Sequence, residues 1–156
     1  MGCAYSFAQF ISGLDGAPLL GAYRDRFRPS PTLAAPMANV GVSVICAETG
    51  EEARRLASSL RLWRARLIQG ADTPIPPPDE AESLLDGMAA RGGVKLPMRD
   101  PRLIAGDPNE VRDELLGLAA HYDVDELMVV TITYDFAARL RSYELLADAF
   151  GLEGRA

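Results

Sequence analysis

Side chains able to orient a small molecule gather at three places in this 156-residue sequence: Gln9 and Ser12, Glu48 and Thr49, and the stretch holding Thr131, Thr133, Tyr134 and Asp135. Each place follows a run of apolar, strand-like residues, and in βα architectures the loops after the strands converge at one end. The groups are amides, hydroxyls and carboxylates suited to hydrogen-bonding a ligand; no nucleophile–base pair stands out among them. The sequence contains no G-x-S-x-G elbow, no P-loop and no glycine-rich dinucleotide fingerprint. A lone His121 with separated Cys3 and Cys46 cannot supply the three or four convergent ligands that zinc needs, so no metal site is expected. His121 falls near the end of a helical pattern, where a cation interacts favourably with the dipole, and a structural role is expected for it. Any redox chemistry would therefore be carried by a cofactor that the protein orients.

Arg139 is the most informative charge. On a helical wheel it falls beside Tyr143, Leu146 and Phe150, the apolar side of the last helix, and in a first turn whose dipole disfavours a cation. Such a placement calls for a fixed acidic or anionic partner. An internal salt bridge to Asp135, four residues earlier, weighs ahead of ligand contact. Arg141 points the other way and is expected to be solvated. Arg54, Arg55, Arg61, Arg64 and Arg66 lie mostly opposite the stripe Leu56, Leu60, Trp63 and Leu67, so a solvated helix face is favoured over an anion-binding surface.

The elements that must position these groups alternate. Residues 4–10 read as a short aromatic strand, and Leu19, Tyr23 and Phe27 mark a helix that Arg28-Pro29-Ser30-Pro31 stops. Val40 to Ala47 is apolar on both faces, as in a strand of a parallel sheet. Thr49 and Glu52 have capping-box spacing at the head of a long helix closed by Gly70. From about 71 to 107 the chain is an excursion broken by Pro74, Pro76, Pro77, Pro78, Gly92, Gly93, Pro97 and Pro101, with one short helix near Glu80 to Met88. Asp107, Pro108 and Glu110 open another helix carrying Val111, Leu115, Leu118 and Tyr122. Leu127 to Ile132 is a third strand, and Asp135 caps a last helix with the stripe Phe136, Leu140, Tyr143, Ala147 and Phe150. The pattern is α/β, with about three strand–helix units.

Composition agrees with a globular α/β chain: 48% hydrophobic and 24% charged, with a net charge of −6. A single Lys among mostly Arg, in a net acidic chain, argues against nucleic-acid binding. No apolar run approaches the ~20 residues of a membrane span, and no secretory signal pattern opens the sequence. Met1-Gly2-Cys3-Ala4-Tyr5-Ser6 fits the acylation pattern loosely, but a segment that reads as a core strand is not expected to be a free anchor. Two cysteines in apolar runs suit a reducing, cytoplasmic location. Residues 1–70 carry a net +3 and the remainder −9, an asymmetry that suits docking a partner without naming one.

The order of motifs resembles the luciferase-like flavin-dependent monooxygenases. The resemblance rests on Tyr5-Ser6-Phe7-Ala8-Gln9-Phe10, on Tyr23 through Ser30, and on Val42 through Ala53. It continues through Gly106-Asp107-Pro108-Asn109-Glu110-Val111, Asp125 through Thr131, and Arg139 through Ala147. It implies a partial (β/α)8 TIM barrel, the whole chain being one truncated domain: the C-terminal half, with about three βα units and a helical or loop insertion before the last strand. A full barrel of this kind needs eight strands and typically ~250 residues. The family uses reduced FMN, or a related deazaflavin, with molecular oxygen or another acceptor. The flavin would sit at the C-terminal mouth, bordered here by Phe7 and Gln9 from the first strand, Thr131 and Thr133 from the last, and Arg139. The phosphate-holding serine loop would lie before Met1, and many relatives carry a histidine near the position of Gln9. Expected partners are flavin, a small-molecule substrate, and either the missing barrel half or another copy. The competing expectation is a non-catalytic remnant or self-associating module of the same fold.

Overall fold

The computed structural model describes residues 2–90 and 100–152; Met1 of the acylation pattern, and Gly92, Gly93 and Pro97 of the excursion, lie outside the described residues. The elements in chain order are β1 (Tyr5–Ala8), α1 (Gln9–Ser12), α2 (Ala17–Arg26), β2 (Ala38–Cys46), α3 (Gly50–Ile68), α4 (Pro78–Ala90), β3 (Leu103–Gly106), α5 (Pro108–Tyr122), β4 (Leu127–Val130) and α6 (Phe136–Ala149). All pairing between these strands is parallel, and β2 is the hub. Ala38–Gly41 pair with β1, Val40–Ser43 with β4, and Ser43–Cys46 with β3. A strand residue has only two edges, so β1 and β3 follow one another along one edge of β2 while β4 occupies the other.

The valine alternation of β2 explains its position. Val40, Val42, Val44 and Cys46 face a core built with Phe7, Leu20 of α2, Val111, Leu115 and Tyr122 of α5, and Leu145 and Leu146 of α6. Ile45 and Ala47, on the opposite face, pack with Leu103 beneath Ala53, Leu56, Ala57 and Leu60 of α3. That second layer covers only the C-terminal part of the sheet. Lower down, Ser6 of β1 and Met128 of β4 are exposed on the same face by strand alternation. The sheet is thus walled completely on one side and partly on the other.

Local chemistry fixes the element ends. Asp107 Oδ1 accepts from the backbone N–H groups of Asn109 and Glu110, and Glu110 Oε2 accepts from the Asp107 N–H, a complete capping box for α5. Thr49 Oγ1 accepts from the Glu52 N–H, and Asp135 Oδ1 from the Ala138 N–H, capping α3 and α6. Gly16 is required by close approach: a Cβ there would collide with the Phe7 ring.

Four sequence expectations need correction. The excursion contains a strand, β3, that the sequence did not reveal, because its four residues sit between Pro101 and the Asp107 cap. The aromatic run of β1 stops at Ala8, and Gln9–Ser12 form one helical turn instead. Arg64 is buried rather than solvated, because Asp100 and the Phe10 carbonyl close over its guanidinium. The stripe Phe136 and Leu140 of α6 is exposed, while Ser142, Leu145 and Leu146 turn inward.

Arg64 organises the excursion. Its Nη1 donates to Asp100 Oδ2 at 2.8 Å and its Nη2 to the Phe10 carbonyl at 3.3 Å. Asp100 Oδ1 also accepts from the Arg102 backbone N–H and Nε at 3.0 and 2.9 Å. One carboxylate therefore joins α3, α1 and the start of β3. Burial opposes ionisation of Asp100, but the Arg102 side chain and N–H, with the Arg64 guanidinium, hold it below the usual carboxylate range. A carboxyl with a depressed folded pKa adds stability that is complete above its unfolded value, about 4, and is lost as pH falls through the folded value. Urea unfolding should therefore show stability falling with pH below about 4, with a shallower slope in Asp100→Asn. Arg64→Ala, which leaves that carboxylate to Arg102 alone, should lower the unfolding free energy by about 2 kcal/mol at neutral pH.

Candidate functional site

The C-terminal ends of β1, β2 and β4 lie together by register. Ala8 pairs with Gly41 and Val130 with Ser43, so β1 stops two β2 residues earlier than β4. Two strand spacings separate them, about 10 Å. Gln9 and Thr131 therefore flank one rim, with the end of β2 rising between them.

Helix α6 closes this rim with two adjacent side chains. Where β4 has ended, the Ser142 hydroxyl accepts the Cys46 N–H at 2.9 Å, standing in for a strand partner on that edge of β2. Ser142 is fully buried. The Tyr143 phenol accepts the Thr131 N–H at 3.0 Å, doing the same for the end of β4. Burial opposes ionisation of Tyr143, but the Thr131 N–H, the neighbouring Thr131 hydroxyl and the Arg139 guanidinium hold its pKa below the usual phenol value. Neither Ser142 nor Tyr143 stood out in the sequence as a site residue. The signal for Ser142 is a hydroxyl on the helix face it shares with Leu145 and Leu146.

The residues expected at the rim divide into three groups. Thr131 is fully buried and Arg139 is exposed one turn before Tyr143, so these two share a cluster with the phenol. Arg139 faces Tyr143, while the Asp135 carboxylate is used as the helix cap. Thr133 donates to the Asp135 carbonyl at 2.7 Å and shapes the loop into α6. Gln9 donates from its amide to the Pro101 carbonyl, holding the excursion against the rim. The Phe7 ring turns away from the open face into the main core, 5.9 Å from the Tyr122 ring. It supports the end of β1 from the helix side.

Charge above β2 is paired. Arg141, expected to be solvated, is exposed but donates to Glu48 at 2.6 and 2.9 Å and to Glu144 at 2.9 Å. The Cys46 thiol beneath is pushed up to about 11 by burial, with the Asp107 and Glu48 carboxylates adding to the effect, so it stays a thiol at neutral pH. On the β2 face opposite the main core, Ser43 Oγ is buried without a hydrogen-bond partner. Next to it the ring of Phe10 covers Gly41, at 3.1 Å from where a Cβ would stand. His121, as its helix-end position implied, is structural: Nε2 lies 3.0 Å from Asp15 Oδ1 and ties α5 to the turn before α2. Among the described residues no cluster of three or more His, Cys, Asp or Glu could hold a metal ion, and no helix is long and apolar enough to cross a membrane.

The chain as a whole has counterparts among known proteins. Uncharacterized protein YceB of Bacillus subtilis (strain 168) is 36% identical over 149 residues, which is 96% of this chain and 44% of that protein. A luciferase-like monooxygenase of Escherichia coli (strain K12) is 29% identical over 148 residues, 95% of this chain and 44% of its own length. The crystal structure of apo-MsnO8 superposes with a TM-score of 0.85 at 36% identity, covering 99% of this chain and 46% of that one. A type II Baeyer–Villiger monooxygenase, the oxygenating constituent of 3,6-diketocamphane monooxygenase from Pseudomonas putida solved with FMN, shares the fold with a TM-score of 0.55 at 17% identity, over 95% of this chain and 48% of that one. No family model matches the sequence. The chain spans less than half the length of the curated relatives it matches.

The Tyr143 link has a direct readout. In a pH titration of tyrosine absorbance, Tyr143→Phe should remove the most acidic phenol transition, and Arg139→Gln should move that transition upward. Loss of the acceptor for a buried N–H should also cost Tyr143→Phe about 1–3 kcal/mol of stability.

Proposed function

The chain belongs with the luciferase-like monooxygenases, whose C-terminal half it matches, and from that premise we propose that it forms the C-terminal wall of a flavin-dependent oxidoreductase acting on a small organic substrate. The observation that carries this reading is the rim itself: Thr131, Tyr143 and Arg139 clustered where β4 ends, beside the end of β2. Ligands of parallel βα barrels bind at that end of the strands. The residues fit a planar, polar cofactor. An exposed guanidinium at Arg139 and the exposed Tyr134 side chain border the rim, and Ser43 Oγ is an unmet polar group on the sheet face that would line a barrel.

FMN is the cofactor of the reading, with a deazaflavin as the alternative; when reduced and bound it would supply the electrons that activate molecular oxygen or another acceptor. The residues of this chain bind and orient. Arg139 offers a cation to an electron-rich ring or anionic group at the rim. Thr131 and Thr133 fix the last strand's end and the loop above it, Gln9 holds the excursion in place, and Phe7 fixes the end of β1 from behind. Tyr143 keeps the Thr131 N–H satisfied and leaves its own O–H available for donation. The buried Cys46 thiol has no part in the chemistry.

The second reading, a non-catalytic or self-associating module of the same fold, draws on the exposed apolar residues Met128, Phe136 and Leu140. Flavin titration followed by fluorescence quenching separates the two. The chain alone should bind FMN weakly or not at all, and adding a polypeptide equivalent to the other half of the barrel should create a site. Arg139→Ala should weaken that site by about tenfold, the loss of one charged hydrogen bond. A chain that docks its complement yet binds neither FMN nor a deazaflavin would count against the enzyme reading. Tight FMN binding by the chain alone would count against the half-barrel reading.

A further inference from the structure

Residues paired across parallel strands share a face of the sheet. Ala8 of β1, Gly41 of β2 and Met128 of β4 therefore form one row across it, on the side opposite the main core. The centre of that row has no side chain. The ring of Phe10 fills the space, 3.1 Å from where a Gly41 Cβ would stand. Along β2, Asn39 and Ser43 are the next residues on the same face, one on either side of Gly41. Each holds a buried polar atom with no hydrogen-bond partner, Asn39 Oδ1 and Ser43 Oγ, and Ser43 as a whole is 1% exposed. A buried polar atom left without a partner is costly, and here two flank one glycine.

Phe10 covers this place without belonging to the core. It packs in neither core cluster, and it sits in the single turn of α1, which ends at Gly13 with a φ of +62°. The apolar side chains that follow it do not hold the turn down, since Ile11 is 67% and Leu14 73% exposed. The turn is tied by polar contacts instead, Arg64 to the Phe10 carbonyl and the Gln9 amide to the Pro101 carbonyl. Rotating the Phe10 ring outward breaks neither.

We infer that the slot over Gly41 binds a single-ring aromatic molecule with a hydrogen-bonding group at each end, Phe10 holding its place when the slot is empty. The dimensions set the class. Asn39 and Ser43 stand about 13 Å apart along an extended strand. Two hydrogen bonds of about 2.8 Å leave about 7 Å, the length of one benzene ring with polar substituents at opposite ends. Such a ring would lie on Gly41 as Phe10 does. Met128, 53% exposed in the same row, would stand beside it, and a thioether makes favourable contact with an aromatic ring. A three-ring flavin is too long for the span. The inference rests on the oxidoreductase reading only in taking this molecule as the substrate; the slot itself lies wholly within this chain.

The test uses the full chain without flavin and 4-hydroxybenzamide as probe, with binding followed by isothermal titration calorimetry. Wild type should bind weakly, because each binding event displaces the Phe10 ring. Phe10→Ala empties the slot and should bind the probe at least about tenfold more tightly. Phe10→Val makes a milder vacancy and should shift affinity in the same direction. Circular dichroism confirms that each variant is folded. Adding Ser43→Ala to Phe10→Ala should weaken binding about fivefold, the loss of one hydrogen bond. Toluene, which has the ring without the polar ends, should bind Phe10→Ala less tightly than the probe and be indifferent to Ser43→Ala. The inference is overturned if the folded Phe10 variants bind the probe no more tightly than wild type. It is also overturned if Ser43→Ala leaves probe affinity unchanged, or if toluene binds as tightly as the probe. A chain that binds the probe but forms no flavin site with its complement keeps the slot and loses the oxidoreductase reading. A flavin site without probe binding removes the slot alone.

Discussion

A strand in a parallel sheet must hand its backbone groups to a neighbour on each edge, and among the described residues β2 is the strand with partners on both. β1 and β3 divide one edge between them and β4 takes the other. Where β4 runs out, α6 continues the pairing with side chains: Ser142 for the Cys46 N–H, and Tyr143 for the strand end of β4. A buried N–H without an acceptor costs about 1–3 kcal/mol, so these two contacts decide where α6 sits. The position of α6 in turn sets the rim, because that docking carries Tyr143, with Arg139 one turn before it on the same helix, to the end of β4. Backbone pairing in the sheet and the geometry of the candidate site are thus one constraint.

The excursion between α3 and α5 obeys the same constraint from the other edge. β1 ends at Ala8, which leaves that edge of the upper part of β2 without a partner until β3 arrives some ninety residues beyond α1 in sequence. A four-residue strand at the end of an irregular segment is weakly specified by its own sequence. The buried ion pair of Arg64 with Asp100, together with the Gln9 amide on Pro101, supplies the missing specification by fixing the chain immediately before β3. A charge pair at 10% side-chain exposure on both partners is a poor source of net stability and a good source of uniqueness, since only one register satisfies it.

Much of this was legible in the sequence, and the exceptions share a cause. The valine alternation of β2, the caps at Thr49, Asp107 and Asp135, and the helical stripe of α5 are local signals, and each reads correctly because its partner is within the chain. β3 was hidden because its strand character comes from pairing with Ser43–Cys46 rather than from composition. Arg64 reads as one member of an arginine-rich helix face, since nothing local announces that Asp100 and the Phe10 carbonyl will meet its guanidinium. The rim was legible as three places in the chain. The roles of Ser142 and Tyr143 were not, because they depend on where two strands stop. Phe7 illustrates the converse: its position at a strand end is readable, but the face it presents is decided by register.

The stripe Phe136, Leu140, Tyr143, Ala147 and Phe150 is the instructive mismatch. As a pattern it is a sound amphipathic face, and the expectation that it would be the buried face of α6 follows from the ordinary logic of helix packing. Yet α6 buries a neighbouring face centred on Ser142, Leu145 and Leu146 and leaves Phe136 and Leu140 in solvent. A helix with one apolar face packs on one neighbour; a helix with two is built for the groove between two. Among the described residues β4 pairs with β2 alone, so the strand beside this helix is paired on one edge. At β3 and Arg64 local pattern and packing part because a distant partner intervenes; at Phe136 and Leu140 they part with the side chains left exposed.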